Sequence, residues 1–439
     1  MRDTGCSRLQ GTPTGVDKTR LSLKICEDVG NREGCLDRSV LRPYHDNRKG
    51  CINNRVQLVD FMDAFLSRFV FRRGLSTAVQ SYLARPFSRR TSEQHRLLIY
   101  YNPAEISFVQ VYPFIAWRRA LAQAYGTQIR AVPVDRFLNQ ECAIHRQADT
   151  ILVGPWFTTS PDLLSERLAH MREVNPKAVI GFLDSYAAND LRLAKAVDPY
   201  IDWYLKKSFF KEREQHLVAF RGDTNLTQYY GDLYGISAEP VDWQVPSSIL
   251  AKLRLSPNFL TAPQFLGHFP KGQVPEQAGR ALDMQTRLGK KGTPWYSAMR
   301  EDALQRTNAL PGVTRSSAER VNYKVYMDEM RRSRLCFSPF GYGELCWRDI
   351  EAFQTGAVLI KPDMDHLDTL PDLYVPEETY LPVKWDFSDL EDVVQRALAD
   401  DDLRQRLAIN AYERCADYLS GTSFISDMSF LFEPRPHQI

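Results

Sequence analysis

Residues 335–361, LCFSPFGYGELCWRDIEAFQTGAVLIK, constrain the fold more than any other part of the sequence. The apolar run 335–339 contains a terminal proline and predicts a short buried strand. Gly341 and Gly343 then allow a tight loop with close backbone approach, and we expect a helix to begin near Glu344. The first-turn amides of that helix would point at the loop, where unpaired amides and the helix dipole favour a phosphate. The stretch therefore predicts an anion-binding strand, loop and helix.

Two charged side chains lie on one face of the predicted helix. Arg348 and Glu351 are three positions apart, and this spacing makes them neighbours on a helix surface. A guanidinium can bind two phosphate oxygens at once and does not deprotonate, while a carboxylate can accept hydrogen bonds from a ribose diol. Two simpler interpretations stay open. The two residues can form an ordinary pair within the helix, and the glycines can merely make turns, since neither GxGxxG nor GxxxxGK[ST] is complete.

The wider stretch SRLCFSPFGYGELCWRDIEAFQTGAVLIKP resembles the donor-binding C-terminal half of GT-B glycosyltransferases, and specifically the exostosin-like group. That group has a Cys-x-x-Pro-x-Gly loop, then Arg-x-x-Glu-Ala, then a glycine before a strand. The residues that fall on this pattern are Cys336, Pro339, Gly341, Arg348, Glu351, Ala352 and Gly356. The larger retaining group has a glutamate eight positions before the helix glutamate; Gly343 stands there, and Glu344 comes one place late. This departure favours the exostosin-like group, and the close resemblance covers roughly residues 315–420.

The resemblance implies that a sugar moves from a nucleotide diphosphate sugar, the donor, to a hydroxyl of a glycan or glycolipid, the acceptor. It implies an inverting, metal-independent transfer with no cofactor. Together with the positions that follow strands, it indicates donor binding by Gly267, Gly341, Tyr342, Gly343, Glu344, Arg348, Glu351 and Lys361. Asp363 and Asp365 have the Asp-x-Asp spacing of Mn²⁺ sites in another fold, but we expect an ordinary loop and no obligatory metal. A catalytically inert nucleotide-sugar-binding partner and a sugar-nucleotide epimerase of the same fold remain alternatives.

Composition is typical of a globular enzyme with more than one core. A chain of 439 residues with 44% hydrophobic and 25% charged residues predicts two domains plus additional segments. The net charge of +2 argues against wholesale nucleic-acid binding. No apolar run reaches about 18 residues, as a membrane span requires, and the N-terminal residues lack the apolar core of a secretion signal. The eight scattered cysteines form no CxxC pair, which favours free thiols in a reducing cytoplasm.

The predicted fold class is α/β and GT-B-like, with two Rossmann-like domains whose parallel sheets face a cleft, plus a largely helical or irregular N-terminal extension. The expected boundaries are 1–95 for the extension, 96–250 for the acceptor domain, 251–420 for the donor domain, and 421–439 for a segment returning toward the first domain. Apolar runs separated by helical segments predict first-domain strands at 97–101, 129–134, 150–153, 178–183 and 201–205. The second domain is expected to open with a strand at 258–266, followed by helices at 277–288 and 327–334.

An inverting transfer needs a group that takes the proton of the acceptor hydroxyl. Because ligands of α/β sheets lie beyond the carboxyl ends of strands, our candidates are Asp184 first, then Glu105, with His268 beside phosphate or sugar. Asp184 can equally cap the helix that follows it, and His268 can be an ordinary loop residue. Lys206 and Lys207 are basic enough to help bind an anion, although such pairs are usually solvated.

Residues 64–90 contain six arginines and no acid, interleaved with aromatic residues. Such a basic aromatic stretch can lie on an anionic membrane surface, which predicts a cytoplasmic protein with peripheral membrane contact. The alternative is a helix that packs on the first domain with its arginines in solvent.

Overall fold

The computed structural model describes residues 77–88, 94–140, 148–317 and 319–434. All of them belong to one compact unit that spans residues 54–439. No helix in this described part of the chain is both long and apolar enough to cross a bilayer.

The first half of the described chain is built on a six-stranded parallel sheet in the order β2-β1-β3-β4-β5-β9. Its strands are β1 (His95–Tyr101), β2 (Thr127–Pro133), β3 (Thr150–Gly154), β4 (Val179–Asp184), β5 (Trp203–Lys206) and β9 (Leu253–Leu255). Short strands β6 (Ser208–Phe210), β7 (Phe220–Arg221) and β8 (Pro240–Val241) lie between β5 and β9 along the chain. The helices are α1 (Thr77–Leu83), α2 (Glu105–Phe108), α3 (Tyr112–Ala116), α4 (Arg118–Tyr125), α5 (Asp135–Leu138), α6 (Pro161–Val174), α7 (Ala194–Val197), α8 (Asn225–Tyr234) and α9 (Ile249–Lys252).

The second half contains a four-stranded parallel sheet in the order β10-β11-β12-β14. Its strands are β10 (Leu282–Gln285), β11 (Ser333–Phe337), β12 (Val358–Pro362) and β14 (Leu381–Val383), and the short β13 (Leu367–Thr369) lies before β14. The helices are α10 (Pro294–Ala309), α11 (Tyr323–Arg332), α12 (Trp347–Thr355), α13 (Leu390–Ala399), α14 (Asp401–Leu419) and α15 (Thr422–Asp427). The continuous burial of β3 and β12 is typical of parallel strands covered by helices on both faces.

Loops at the carboxyl ends of the two sheets meet directly. Gly343, after β11, packs so closely on the backbone of Ala187, after β4, that an added Cβ would overlap the Ala187 carbonyl group. The two halves also share an antiparallel ladder, in which β6 of the first half pairs with β13 of the second. The predicted α/β class with two parallel sheets is thereby confirmed. The domain boundaries given above stay predictions.

The described end of the chain contacts the first sheet. The Thr150 hydroxyl donates to the carbonyl of Leu431 at 2.6 Å. The Tyr125 hydroxyl donates to the carbonyl of Ile425 at 2.9 Å, and its ring stacks on Phe432 with centroids 4.3 Å apart.

Part of the arginine-rich segment 64–90 also packs on the first sheet. Val79, Leu83 and Phe87 are buried there, and the Arg130 guanidinium lies 5.6 Å from the centre of the Phe87 ring. These contacts favour the packed interpretation for residues 77–88, so membrane attachment through this part has no support. Residues 64–76, 89 and 90 lie outside the described residues.

Two predicted elements in the second half are wrong. The run 258–266 is a 3-10 helix (Phe259–Thr261) followed by turns, because the Asn258 side chain accepts from the Leu260 amide at 3.0 Å and starts a helical turn. The segment 277–288 is not a helix, since Gly279 has a φ of +72° and Leu282–Gln285 pairs with β11 instead. In both stretches the apolar spacing alone did not separate strand from helix.

Candidate functional site

The site is centred on the loop 338–346 between β11 and α12, which we call the glycine loop. The Gly341 amide donates to the Gly343 carbonyl at 2.9 Å and closes a tight turn. The helix begins at Trp347 rather than near Glu344, because the Asp349 carboxylate accepts from the Cys346 amide at 3.1 Å and caps the first turn. This carboxylate already provides negative charge at the helix N-terminus, where the dipole favours it.

Lys361 lies beneath the glycine loop and is fully buried. Its Nζ is 3.1 Å from the Asp349 carboxylate, which also accepts from the Ser338 hydroxyl at 2.6 Å and the Tyr374 hydroxyl at 2.8 Å. These contacts stabilise the conformation of the loop, and donor contact by Lys361 stays a prediction.

Two arginine side chains converge on the glycine loop. Arg300 of α10 donates to the Phe340 carbonyl at 2.6 Å. Arg348 donates to the carbonyl of Arg287, beyond the end of β10, and to that of Phe337 at 3.4 Å. Neither guanidinium forms an ion pair with a carboxylate of the described residues, and the Nε of each is buried without a hydrogen-bond partner there. Burial, and to a smaller extent the neighbouring Arg348, lowers the pKa of Arg300.

These two guanidiniums make the site strongly electropositive. A buried charge without a counter-ion is costly, and an anion placed between them would receive charge-assisted hydrogen bonds from both. The residue Arg348 was predicted from its place on the helix. Arg300 was missed, although its four-residue spacing from Tyr296 and Leu304 places it on the buried stripe of α10.

Glu351 lies on the same helix as Arg348 and accepts from the Tyr326 hydroxyl at 2.8 Å. Burial, followed by the Glu351 charge, raises the pKa of Tyr326 well above its ordinary value. The phenol therefore stays protonated and keeps donating. This hydrogen bond fixes one carboxylate oxygen of Glu351. The role of Glu351 toward a ribose stays a prediction.

Tyr342 provides a flat aromatic surface at the glycine loop. Its ring stacks on Tyr296 with centroids 4.7 Å apart and planes within 9°. The Arg300 guanidinium lies 4.9 Å from the centre of the Tyr296 ring, so the aromatic pair and the arginine form one unit. Such a surface can pack against a base or a sugar ring.

Glu344 lies in a buried polar cluster. Its two oxygens accept from Asn189 at 2.8 Å and from Asn225 at 2.9 Å. The Nε2 of His366, which follows β12, lies 3.4 Å from the same carboxylate. Burial opposes the charge of Glu344, but His366 and the Asn225 hydrogen bond outweigh it and lower the pKa of the carboxyl. His366 was missed by the sequence reasoning, which considered only the aspartates just before it.

Asp184 is engaged in a buried ion pair. Its Oδ2 accepts from Lys206 at 2.9 Å and from Tyr204 at 2.8 Å, and its Oδ1 accepts from the Tyr186 amide at 2.8 Å. Burial opposes ionisation, yet Lys206 and these hydrogen bonds lower the pKa of Asp184 below its ordinary value. A saturated carboxylate with a lowered pKa is a poor proton acceptor, so these contacts contradict the choice of Asp184 as base.

The other predicted candidates do not gather around Asp184. Glu105 is exposed at the start of α2, beyond the carboxyl end of β1. Gly267 and His268 are exposed in a turn before Phe269, whose ring packs on Tyr412 of α14 at 5.1 Å. They therefore do not follow a strand of the second sheet, which was the reason for choosing them. Among the predicted donor residues, Gly341, Tyr342, Gly343, Glu344, Arg348 and Glu351 lie in or next to the glycine loop.

No protein-family model matches the chain, and no curated protein matches it. Similar solved structures include the sucrose-phosphate synthase from Thermosynechococcus elongatus, at 14% identity and a TM-score of 0.42 over 77% of this chain and 98% of that chain. A glycosyltransferase from Rickettsia africae is 7% identical, with a TM-score of 0.38 over 77% of this chain and 98% of that one. A lipopolysaccharide outer core galactosyltransferase is 7% identical, with a TM-score of 0.38 over 75% of this chain and 99% of that chain. At such identities and TM-scores the likeness carries no information about activity.

Proposed function

We propose that the protein transfers a sugar from a nucleotide diphosphate sugar to a hydroxyl of a glycan or glycolipid, as an inverting, metal-independent enzyme of the exostosin-like type. The observation that carries this proposal is the pair Arg300, which is buried, and Arg348, which is partly exposed. Both hydrogen-bond to carbonyl groups around the glycine loop, and neither forms an ion pair with a carboxylate of the described residues. A diphosphate has the charge and the oxygen geometry that two guanidiniums bind.

The same pair explains how the reaction would be accelerated. As the bond between the sugar and the diphosphate breaks, negative charge develops on the departing oxygens, and fixed donors stabilise that charge. Arg300 is fixed by its hydrogen bond to the Phe340 carbonyl, and the loop is fixed by the Asp349–Lys361 ion pair beneath it. Little reorganisation is then needed when the charge appears. Glu351 would accept from the ribose, and Tyr342 would pack against a ring of the donor.

Two alternatives use the same donor site. An inert partner protein would bind the nucleotide sugar without turnover, and an epimerase would change the sugar without an acceptor. Product analysis separates them, because only a transferase needs an acceptor hydroxyl to form its product. The Rossmann-like halves are common to all three, so fold alone does not choose between them.

The proposal is tested by thermal shift and calorimetry with a panel of nucleoside diphosphates and the matching monophosphates. A bound ligand stabilises the fold by mass action, and we expect diphosphates to bind more tightly than monophosphates. Arg300→Met and Arg348→Met should each cost about 1.5–3 kcal/mol of diphosphate binding, the value of a hydrogen bond to a charged group.

The matched control is Arg331→Met, since Arg331 is an exposed arginine of α11 that pairs with Asp328 at 2.8 Å. It should leave the affinity unchanged. Equal diphosphate affinity in the wild type and in both Arg300 and Arg348 variants would refute the assignment of this site.

A further inference from the structure

An imidazole–carboxylate pair joins the glycine loop to the segment that follows β12. His366 Nε2 lies 3.4 Å from Glu344 Oε1. The carboxylate is completely buried and is held from the other half of the molecule, because Asn189 follows β4 and Asn225 begins α8. With both oxygens fixed, Glu344 presents one defined edge to the imidazole. Because an ionised carboxylate only accepts hydrogen bonds, we assign Nε2–H as the donor, which leaves the lone pair on Nδ1.

His366 is the accessible member of this pair. Its side chain is 22% exposed, whereas that of Glu344 is 0% exposed. The ring lies between Phe210, with centroids 6.2 Å apart, and Trp385, with centroids 4.9 Å apart. The backbone is also fixed, since the Lys211 amide donates to the His366 carbonyl at 3.0 Å. A rigid, partly exposed imidazole at the carboxyl edge of a parallel sheet is in the region where ligands of such sheets bind.

The pair and the two arginines share one short loop. Arg300 binds the carbonyl of Phe340, and Glu344 is four residues further along the same loop. The Phe340 ring contacts Trp385, with centroids 5.1 Å apart, and Trp385 in turn contacts His366. The arginine site and the imidazole–carboxylate pair are thus linked through one loop and through the Phe340 and Trp385 rings.

We propose that His366 accepts the proton of the acceptor hydroxyl, with Glu344 as its positioning residue; this step rests on the proposed sugar transfer. The hydroxyl oxygen forms a bond to the anomeric carbon of the sugar. The bond from that carbon to the diphosphate oxygen breaks, and its electron pair leaves with the diphosphate. The hydroxyl proton moves to Nδ1 of His366, and the Nε2–H···Glu344 hydrogen bond stabilises the resulting imidazolium, as in other carboxylate–histidine arrangements.

Other ionisable groups around His366 determine the local electrostatic field at its imidazole. Asp365 and Asp363 precede it on its own segment, and Lys211 from the end of β6 pairs with Asp365 at 2.5 Å. Lys206 of β5 is neutralised by Asp184. His216 is buried on the opposite side of Phe210, and burial followed by Lys206 lowers its pKa to about 3, so it stays neutral. Glu344 is thus the carboxylate in direct contact with the imidazole.

The first experiment needs no substrate. The protonated nitrogen of His366 is identified by ¹⁵N NMR of the imidazole in the wild type and in Glu344→Gln, with the His366→Gln spectrum used for assignment. We expect Nε2 to carry the proton in the neutral wild-type ring and this preference to weaken in Glu344→Gln. Identical His366 signals in both proteins would overturn the pairing, whether or not the protein binds a nucleotide.

The second experiment follows nucleoside diphosphate release from the nucleotide sugar that binds, with water or a glycoside hydroxyl as acceptor. His366→Gln should lower kcat by roughly 10²- to 10⁴-fold, the usual contribution of a general base, while the Kd of the nucleoside diphosphate stays within twofold. The limb of the pH–rate profile that reports the base should disappear, and added imidazole should restore part of the activity of His366→Ala.

His170→Gln is the control, because the His170 side chain is 45% exposed on α6; the kcat of this variant should not change. A His366→Gln enzyme with a wild-type kcat and pH profile overturns the proposal. A variant that loses nucleotide binding and stability together shows a structural role and overturns it as well. Absence of nucleoside diphosphate binding to the wild type refutes the sugar transfer instead, and the NMR comparison still decides whether the pair exists.

Discussion

The ion pair between Asp184 and Lys206 offers a direct test of whether Asp184 is a structural or a reactive carboxylate. Its Nζ–Oδ2 distance is 2.9 Å, and each side chain is 1% exposed. Lys206→Met keeps the volume and removes the charge. Breaking such a pair by removing one partner costs about 3–5 kcal/mol. Because Asp184 keeps hydrogen bonds from the Tyr204 hydroxyl and the Tyr186 amide, we expect Lys206→Met to lower the free energy of unfolding by about 3 kcal/mol, the lower end of this range.

The assay is urea unfolding of Lys206→Met, Asp184→Asn and the double variant, with the free energy of unfolding obtained by linear extrapolation. The double variant should recover most of the loss, because it leaves no unpaired buried charge. Lys211→Met is the control, since the Lys211–Asp365 pair has a similar distance of 2.5 Å but side chains 45% and 73% exposed. An exposed pair is worth roughly 0–1 kcal/mol.

The pH dependence has a defined sign. The pKa of Asp184 is lowered in the folded protein from its ordinary value of 3.8, so its contribution to stability is present above that value and is lost as the pH falls through the folded pKa. In Lys206→Met the pKa of Asp184 rises, so this loss of stability in acid becomes smaller or reverses. Equal destabilisation by Lys206→Met and Lys211→Met, or a double variant no more stable than Lys206→Met, would refute the buried-pair reasoning.

Three further predictions follow from other contacts. Gly343→Ala should destabilise the fold by about 1–3 kcal/mol, because the added Cβ would overlap the Ala187 backbone. The control is Gly289→Ala, since nothing lies within 4 Å of a Cβ added there. Equal unfolding midpoints of the two variants would contradict the close approach of Gly343 to Ala187. Glu351→Gln should weaken ribonucleoside diphosphates more than their deoxyribose counterparts in calorimetry; equal losses would remove its ribose role. His216 has a pKa lowered to about 3 by burial, then by Lys206, so the unfolded state binds its proton first and stability should fall as the pH drops below about 6.5. His216→Gln should flatten that fall in acid titrations, and an unchanged slope would contradict its neutral state.

The strand, loop and helix around residues 335–361 could be predicted because local pattern determines them. The apolar runs become β11 and β12, and the spacing of Arg348 and Glu351 places them on one helix. Registers between strands are not encoded locally. Asp184 faces Lys206 because β4 and β5 pair in parallel with these two residues opposite each other. The sequence near Asp184 contains no signal that predicts this pairing.

Arg300 and His366 were missed for the same reason, because their partners lie far away in the sequence. Arg300 contacts a loop 40 positions away, and Glu344 contacts Asn189 from 155 positions away. The role proposed for His366 depends on its contact with Glu344, which the sequence analysis had assigned to donor binding. Side chains whose partners come from another part of the fold cannot be ranked by local spacing, so the proposed anion site was found in part and the proposed proton acceptor was not.

The ladder between β6 and β13 has a consequence for how ligands enter and leave. Leu367 pairs with Phe210, and Thr369 pairs with Ser208, while the Asn258 amide donates to the Leu370 carbonyl at 2.7 Å just beyond the ladder. The hydrogen bonds of the β6–β13 ladder cross from one half of the molecule to the other. A hinge rotation that opened the two halves widely would have to break them together. We therefore expect exchange of the proposed nucleotide and product to depend on side-chain and loop rearrangements at the rim, while the two sheets stay fixed relative to one another.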